Sequence, residues 1–542
     1  MKFKFLLSFC MAGIAFAGYA QTHEEGAEYF RADQFANAKE LLLRNYDKPG
    51  TNKAVSDYYL GLIALRNDNK AEAKQHFDKG VQANPEFAYN YVGQGRLALE
   101  SGNDKEAENL FKLALQKAKK DARLEVAIAR EYYNVNPTKY EKQINKHLDK
   151  ARRINGNETD LFLFEGDRAL DRKDVGSAAG NYEMAANYAP KTAEAYVKYA
   201  NLYTLVNPQF AIEMLKKLIA NNPTSALGQR ELSNAYYNNK DYKNAVAEYG
   251  KYVQNPNHFK QDEDRYAFLL FYSGDYKKGY DYSTQLLASD PGNFTAQRYQ
   301  FMNAAQLPEL KEQLLPMAEK LYAAHKANAN NKFAPIDYTL VADELARAGR
   351  PAESEVVLQE AIADMPENAS FDKQLAMIYV DESKISKAAD AYKNFLKKTE
   401  KPGYNDFIQQ AMFCYYAGVE TKDDATRSNN YFDEAIDYAN KAAAEFPSNY
   451  KPKKIQGDVA KQRASKEDVS KAAAPLYQEA ISMLEASQDP SRYASDAKEM
   501  YNYMGNYYLD QKNVEKAKEY FNKYLIYDPN NAEYRQFVEN LK

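Results

Sequence analysis

Histidine and cysteine are the residue types in this chain that would hold a metal ion or form a covalent intermediate. A transition-metal site needs about three such ligands that converge on one point. No two histidines lie at helical spacing, so the sequence predicts no metal site and no cofactor. The five histidines are His23, His76, His147, His258 and His325.

The two cysteines, Cys10 and Cys414, do not form a pair either. Cys10 lies in an N-terminal apolar segment that we expect to be removed, which leaves Cys414 as the single thiol. One thiol forms neither a disulfide within the chain nor a thiolate metal site. Because Cys414 ends the apolar stretch Ala411-Met412-Phe413, we expect it to be a buried hydrophobic side chain.

Gly93 and Gly95 form the one glycine pattern that is similar to a phosphate-binding turn. Such a turn follows a strand and opens a helix. Here the pattern falls inside a helical segment with no strand before it, so we expect a structural role. No nucleophile stands beside a base, and the carboxylates are dispersed among lysines. The sequence therefore predicts a protein that is not an enzyme.

Residues 1–20 have the composition of a secretory signal peptide. Lys2 and Lys4 precede an apolar run, and small residues end the segment at Ala20. The run is shorter than the roughly 20 apolar residues that span a bilayer. The residue before Cys10 is bulky, so a lipid anchor there is not expected. We expect an exported protein, in the periplasm or at the outer membrane, with no transmembrane segment after signal removal.

The charge balance argues against nucleic acid as a partner. The formal net charge is −4, and the loss of Lys2 and Lys4 with the signal peptide takes it to −6. Acidic and basic residues alternate along the chain without a basic cluster. A protein that binds a phosphate backbone has clustered Lys and Arg with an excess of positive charge.

Small, aromatic and proline residues recur at fixed offsets with a spacing of about 34 residues. In each unit a small residue precedes an alanine, an aromatic residue follows the alanine one helical turn later, and a proline ends most units. The recurring sets are Gly61, Ala73, Phe77 and Pro85; Gly95, Ala107 and Phe111; Gly166, Ala178, Tyr182 and Pro190; Ser233, Ala245, Tyr249 and Pro256; and Gly505, Ala517, Phe521 and Pro529.

This pattern resembles the tetratricopeptide repeat, which has Leu-Gly-x-x-Tyr in a first helix, Ala-x-x-x-Phe in a second helix and a closing proline. The resemblance covers nearly all of the mature chain, with about thirteen units. It implies an all-α fold, a right-handed superhelical solenoid of antiparallel helix pairs. The tryptophan that the family places in the first helix is absent from the chain.

The regular spacing divides the mature chain into an N-terminal array (21–322), a polar junction (323–335), a C-terminal array (336–530) and a capping helix (531–542). A solenoid tolerates insertions mainly in its loops. Residues 418–430 lengthen one unit by about twelve residues, and residues 464–470 lengthen another by about four. We expect both insertions to be solvated loops.

In the family, variable positions of the first helices line a concave groove and contact the ligand. In the middle of this chain those positions hold aromatic, amide and charged side chains, which suit both peptide backbone and apolar side chains. The aromatic residues could alternatively only pack between helices. The candidate groove residues are Asn201, Arg230, Asn234, Tyr237, Asp264, Phe268 and Phe271.

The resemblance implies a protein–protein interaction scaffold of the bacterial periplasm or cell envelope, whose partners are peptides or other proteins. The alternative is a carbohydrate-binding accessory protein of the outer membrane, because some glycan-capturing lipoproteins use such repeats. Those proteins carry a lipid-anchored cysteine and long inserted loops, which this sequence lacks. The sequence favours no particular oligomeric state.

Overall fold

A computed structural model describes residues 21–487 and 489–542, and these residues form consecutive helices joined by short turns. Most of these helices pack against the next one along the chain. The predicted all-α solenoid of helix pairs is therefore confirmed for the described residues. The predicted signal peptide (1–20), with Cys10, lies outside them. The described chain divides into two units at Asn303 and Ala304.

Unit 1 contains eight helix pairs and the helix that follows them. Its helices are α1 (His23–Arg31), α2 (Phe35–Asn45), α3 (Lys53–Arg66), α4 (Lys70–Ala83), α5 (Tyr89–Glu100), α6 (Asp104–Lys117), α7 (Ala122–Val135), α8 (Glu141–Ile154), α9 (Thr159–Asp171), α10 (Val175–Tyr188), α11 (Ala193–Tyr203), α12 (Pro208–Asn221), α13 (Ala226–Asn238), α14 (Tyr242–Tyr252), α15 (Gln261–Tyr272), α16 (Tyr276–Ser289) and α17 (Phe294–Ala304).

Unit 2 continues the same pattern, with two short 3-10 helices at Pro308–Gln313 and Pro490–Tyr493. Its α-helices are α18 (Leu314–Ala327), α19 (Pro335–Arg347), α20 (Pro351–Asp364), α21 (Ala369–Asp381), α22 (Ile385–Lys398), α23 (Tyr404–Glu420), α24 (Ala425–Glu445), α25 (Lys451–Arg463), α26 (Val469–Ala472), α27 (Ala474–Glu485), α28 (Ala494–Asp510), α29 (Val514–Tyr527) and α30 (Ala532–Asn540).

The recurring small residue marks the place where the two helices of a pair come closest. A Cβ atom built on Gly61 of α3 would lie 2.4 Å from the ring of Phe77 in α4. The same contact recurs between Gly95 and Phe111 at 2.3 Å, with Phe77 also lying 2.2 Å from a Cβ built on Gly93 of the next pair. Each aromatic ring thus occupies the space that a side chain larger than glycine would need.

Serine replaces glycine at one such contact and adds a hydrogen bond. Ser233 of α13 is buried, and its hydroxyl donates to the main-chain carbonyl of Ala245 in α14 at 2.7 Å. A small side chain therefore keeps the helices close, and its polar atom is satisfied by the neighbouring helix.

Many turns within pairs share one backbone conformation. A residue with positive φ lies two positions before the second helix, as at Asp68 (φ 56°) and Lys240 (φ 61°). In several of these turns the next residue is an Asn or Asp whose side chain caps the helix. Asn69, for example, accepts a hydrogen bond from the main-chain N–H of Glu72 at 3.1 Å. These caps satisfy donors that a helix start would otherwise leave unpaired.

The structure differs from the sequence prediction at the insertion of residues 418–430. We expected a solvated loop, but most of these residues extend the helices α23 and α24, which are 17 and 21 residues long. The prediction was wrong because the added residues keep a helical pattern of buried side chains. Ser428 is buried and donates to the main-chain carbonyl of Gly418 at 2.7 Å, and a Cβ atom built on Gly418 would lie 2.5 Å from the ring of Phe432.

The polar junction predicted at 323–335 lies inside unit 2. Its first residues complete α18, and the ring of Phe333 packs on His325 with the ring centroids 4.1 Å apart. At the C-terminus, α30 covers the last pair through Val538, which is buried beside Ala517 and Phe521. Among the described residues no helix is both long and apolar enough to cross a membrane.

We predict that Gly61→Ala destabilises the protein by about 1–3 kcal/mol, because the new methyl group collides with the ring of Phe77. Gly180→Ala is the matched control, since Gly180 lies in α10 and an added Cβ would meet no atom within 4 Å. The control should gain up to about 1 kcal/mol from helix propensity. Urea unfolding followed by circular dichroism measures both, and equal effects of the two substitutions would contradict the packing argument.

Candidate functional site

The first repeat of unit 1 packs against repeats much later in the chain. Helix α1 contacts α11 and α13 as well as its sequence neighbours. The ring of Tyr29 lies edge-on against Phe259, with centroids 5.3 Å apart, and both side chains are fully buried. The helices of unit 1 therefore curve far enough for the array to meet its own beginning.

We call this junction the N-terminal seam, and it comprises the contacts of residues 21–45 with α11, with α13 and with residues 255–260. Polar contacts hold the seam together. Arg31 forms an ion pair with Glu194, and Asp33 forms one with Lys198. Gln34 donates to the carboxylate of Glu231 at 2.8 Å. Main-chain carbonyls accept two further hydrogen bonds, from Gln21 to Pro256 at 2.9 Å and from Arg44 to His258 at 2.8 Å.

The seam encloses a small charged cavity of about 90 Å³. Its lining includes Arg31, Tyr59, Arg123, Arg130, Asp160 and Lys198, which come from five different first helices. Each cation has an acidic partner, as Arg123 has Asp160 at 2.5 Å and Arg130 has Asp167 at 2.7 Å. Because the buried charges are balanced pairwise, the cavity has the character of a structural interior rather than of an anion-binding site.

The pKa values of the cavity acids follow from these pairings. Burial alone would raise the pKa of Asp160, but the guanidinium groups of Arg123 and Arg31 outweigh burial and hold it below its usual range. The pKa of Asp167 is lowered in the same way, with Arg130 and Lys198 opposing burial. Both acids therefore stay ionised and keep their ion pairs over the neutral pH range.

Glu28, which also lies at the seam, has a raised pKa, unlike Asp160 and Asp167. Burial and the nearby carboxylate of Glu194 raise its pKa to about 8, although Arg31 opposes the shift. The hydroxyl of Ser225 is 3.4 Å from its carboxylate. The closed seam therefore favours the protonated form of Glu28 at neutral pH.

The structure does not bring the seven candidate groove residues together on one surface. Arg230 lies at the seam, where it pairs with Asp262 at 2.7 Å and reaches Gln34 at 3.3 Å. Asp264 accepts a hydrogen bond from Asn293 at 2.8 Å. The charged candidates are therefore engaged within unit 1 rather than presented to a ligand.

The aromatic candidates lie on a different surface, which we call the aromatic ridge. It runs along the turns inside three consecutive helix pairs, where a first helix ends and a second begins. Ring centroids lie 4.5 Å apart for Tyr203 and Phe210 and 6.0 Å apart for Tyr237 and Phe268. The ridge consists of Tyr203, Phe210, Tyr237, Tyr242, Phe268, Phe271, Tyr272 and Tyr276.

Asn201 and Asn234 occupy equivalent positions of α11 and α13, near the ridge. Asn201 is exposed and Asn234 is half-buried. The neighbouring turn carries Leu205 and Val206, whose side chains are 93% and 78% exposed. The repeat pattern does not point to these two residues, because they lie in a turn and outside the helical positions that the pattern defines.

Unit 2 has its own concave surface, which we call the unit 2 groove. Two adjoining cavities of about 430 and 820 Å³ share Asn449, Tyr450, Arg492 and Tyr493 in their linings. Tyr404 and the half-exposed Phe446 add two rings, with centroids 5.9 Å apart. Rings beside amide and charged groups could hold a partly polar ligand.

Two segments of the chain match sequence models of one protein family. Sequence models described as "Tetratricopeptide repeat" match residues 58–122 and 499–531. No protein of curated function matches the chain.

The chain is also similar to several solved structures. The C-terminal part of a TPR repeat-containing protein from Cytophaga hutchinsonii is 17% identical, with 50% of this chain and 98% of that chain covered and a TM-score of 0.40. Yeast Tom70 is 15% identical, with 90% and 95% of the two chains covered and a TM-score of 0.26.

We predict that the seam loosens as the pH rises. Because the folded pKa of Glu28 is about 8 and its usual value is 4.5, the closed seam binds a proton that an open seam releases. Its stability should therefore be fully present below about pH 4.5 and fall as the pH rises through about 8. Hydrogen exchange of the α1 amides, corrected for the intrinsic rate, measures this. Glu28→Gln should flatten the response, and the same pH slope in both proteins would contradict the assignment.

Proposed function

We propose, from the premise that this chain is a tetratricopeptide repeat protein, that it is a non-catalytic scaffold of the bacterial periplasm or cell envelope. Repeats of this kind generally support protein–protein interaction. Export is suggested by the signal-peptide composition of residues 1–20. The partners that we propose are other proteins or peptides, since the negative net charge disfavours nucleic acid.

The observation that carries the proposal is the aromatic ridge of unit 1. The first repeat already fills the inner side of unit 1 at the seam, so a partner peptide would have to displace it there. The ridge is outside the seam, and Tyr272 within it is 49% exposed. Leu205 and Val206, in the turn between Tyr203 and Phe210, are exposed as well. Aromatic side chains dominate the binding energy of many protein interfaces, because they bury large areas at a small entropy cost.

The nearby charge suits a protein partner as well. Arg265 stacks over the ring of Tyr237, 4.9 Å from its centroid, so the ridge presents a cation held on an aromatic surface. A partner segment with apolar side chains and a carboxylate would match both features.

We predict that the ridge is the principal contact surface for partner proteins in the cell. A photo-crosslinking amino acid at Leu205 or Tyr272 should give discrete adducts with other proteins. The matched control is Tyr188, a 42% exposed tyrosine on α10 of the same unit. Tyr237→Ala with Phe271→Ala should weaken adduct formation by about tenfold or more. Equal adducts at Tyr188 and at the ridge, or none at the ridge, would contradict the proposal.

A second candidate function is carbohydrate binding, and the unit 2 groove is the observation that favours it. Tyr404, Tyr450 and Tyr493 offer ring faces, and Asn449 and Arg492 offer hydrogen-bond donors beside them. Sugars present apolar faces rimmed by hydroxyl groups, so such a lining suits them.

We predict for this alternative that the full chain binds one or more members of a glycan panel. Tyr404→Ala should weaken that binding by about tenfold. Tyr416→Ala should leave it unchanged, because Tyr416 is a half-exposed tyrosine on the same helix that does not line the groove. Absence of glycan binding would eliminate this candidate and leave the protein scaffold.

A further inference from the structure

Three metal-ligating side chains meet near the beginning of unit 2. His325 lies in the last turn of α18, and Glu360 and Asp364 lie one turn apart at the end of α20. One ligand atom from each residue lies within 4.8 Å of the other two. Their separation in the sequence hides this convergence, since His325 and Glu360 are 35 residues apart.

The imidazole of His325 is held in one orientation. Its ring stacks on Phe333 with the centroids 4.1 Å apart, and Tyr338 packs edge-on against it. Nδ1 lies 2.7 Å from the main-chain carbonyl oxygen of Asn331. The side chain of Asn331 in turn donates to the carbonyl of Ala324 at 2.8 Å. Because a carbonyl only accepts, Nδ1 must carry a proton and donate it.

This orientation leaves Nε2 facing two acceptors. Glu360 Oε1 lies 3.1 Å away, and the hydroxyl oxygen of Tyr338 lies 3.3 Å away. The Tyr338 hydroxyl donates its own proton to Asp364 at 2.5 Å. In the neutral imidazole, Nε2 carries a lone pair and no proton. Nε2, Oε1 of Glu360 and the hydroxyl oxygen of Tyr338 are then three electron-rich atoms that face one another. A metal ion at Nε2 would make this arrangement favourable.

We propose that this cluster binds a divalent transition metal, with Zn²⁺ as its representative, through Nε2 of His325 and one carboxylate oxygen each of Glu360 and Asp364. Imidazole and carboxylate ligands together suit zinc. The carbonyl behind Nδ1 is the outer contact that fixes the tautomer of metal-binding histidines. Side-chain rotation closes the 4.8 Å spread to the shorter separations of a zinc site.

The remaining contacts of Glu360 leave its inner oxygen available. Lys326 and Tyr322 both bind Oε2, at 2.9 and 2.7 Å. Oε1 therefore remains directed at His325. Asp364 is exposed, so an ion can enter from solvent. The two carboxylates and Lys326 carry a net charge of −1, which attracts a cation.

A bound ion would join α18 and the loop after it to α20. Since an ion that binds only the folded cluster stabilises it by mass action, metal should raise the unfolding temperature of the chain. The site gives residues 323–335 a structural role that the sequence analysis did not assign to them.

The test is calorimetric titration of the full mature chain with Zn²⁺ after treatment with a chelator, followed by titration with Co²⁺ monitored by visible absorption. We expect one site per chain with a dissociation constant of about 10 μM or tighter, and cobalt absorption bands typical of nitrogen and oxygen ligation. His325→Ala and Asp364→Asn should each weaken binding by at least about tenfold. Asp364→Asn keeps an acceptor for the Tyr338 hydroxyl, so loss of binding in a folded variant reports on the metal.

His258→Gln is the matched control. His258 has the same kind of surroundings, with Nδ1 2.7 Å from the carbonyl of Asn255 and Nε2 3.0 Å from Glu263. No third ligand joins it among the described residues, so this variant should bind zinc as the unchanged chain does. Absence of zinc binding, or equal binding by His325→Ala, would overturn the proposal and leave His325 as a structural contact of Glu360.

Discussion

In several pairs the distance between the two helices is limited by one contact, a small residue in the first helix against an aromatic ring of the second. Gly61 against Phe77 shows how little space remains, because even a methyl group would collide with the ring. Interiors at this packing density transmit small changes in one pair to the next. The same contact, repeated along unit 1, sets the curvature that brings α1 back to α11 and α13.

That curvature decides which surfaces are left for a partner. The inner side of unit 1 is filled by its own first repeat, and the ion pairs Arg31–Glu194 and Asp33–Lys198 hold that repeat in place. Breaking the Arg31–Glu194 pair costs several kcal/mol, about 3–5, because the charge of Glu194 stays buried. A partner therefore has more to gain at the aromatic ridge, where Tyr272 is exposed, the other rings are half-buried, and the first repeat need not be displaced.

Periodic features could be predicted from the sequence, and contacts between distant repeats could not. The recurrence of Gly95 with Phe111 indicates a helix pair in any array of this kind. The seam depends on accumulated curvature, so nothing near Arg31 points to Glu194, 163 residues away. Arg230 was selected by its offset within a repeat, an offset that carries no information about the first repeat packing beside it. The convergence of His325 with carboxylates on another helix could not be predicted for the same reason.

The most direct test of the account is a distance measurement across the seam. Gln34→Cys and Glu231→Cys, in a chain where buried Cys414 is replaced by Ala, place two thiols on side chains whose polar atoms lie 2.8 Å apart. We expect a short bifunctional thiol reagent to link them within one molecule, rapidly and in high yield. Crosslinks that form only between molecules would contradict the closure of unit 1 by its first repeat. Crosslinking no faster than that of two cysteines placed far apart on the surface of unit 1 would contradict it as well.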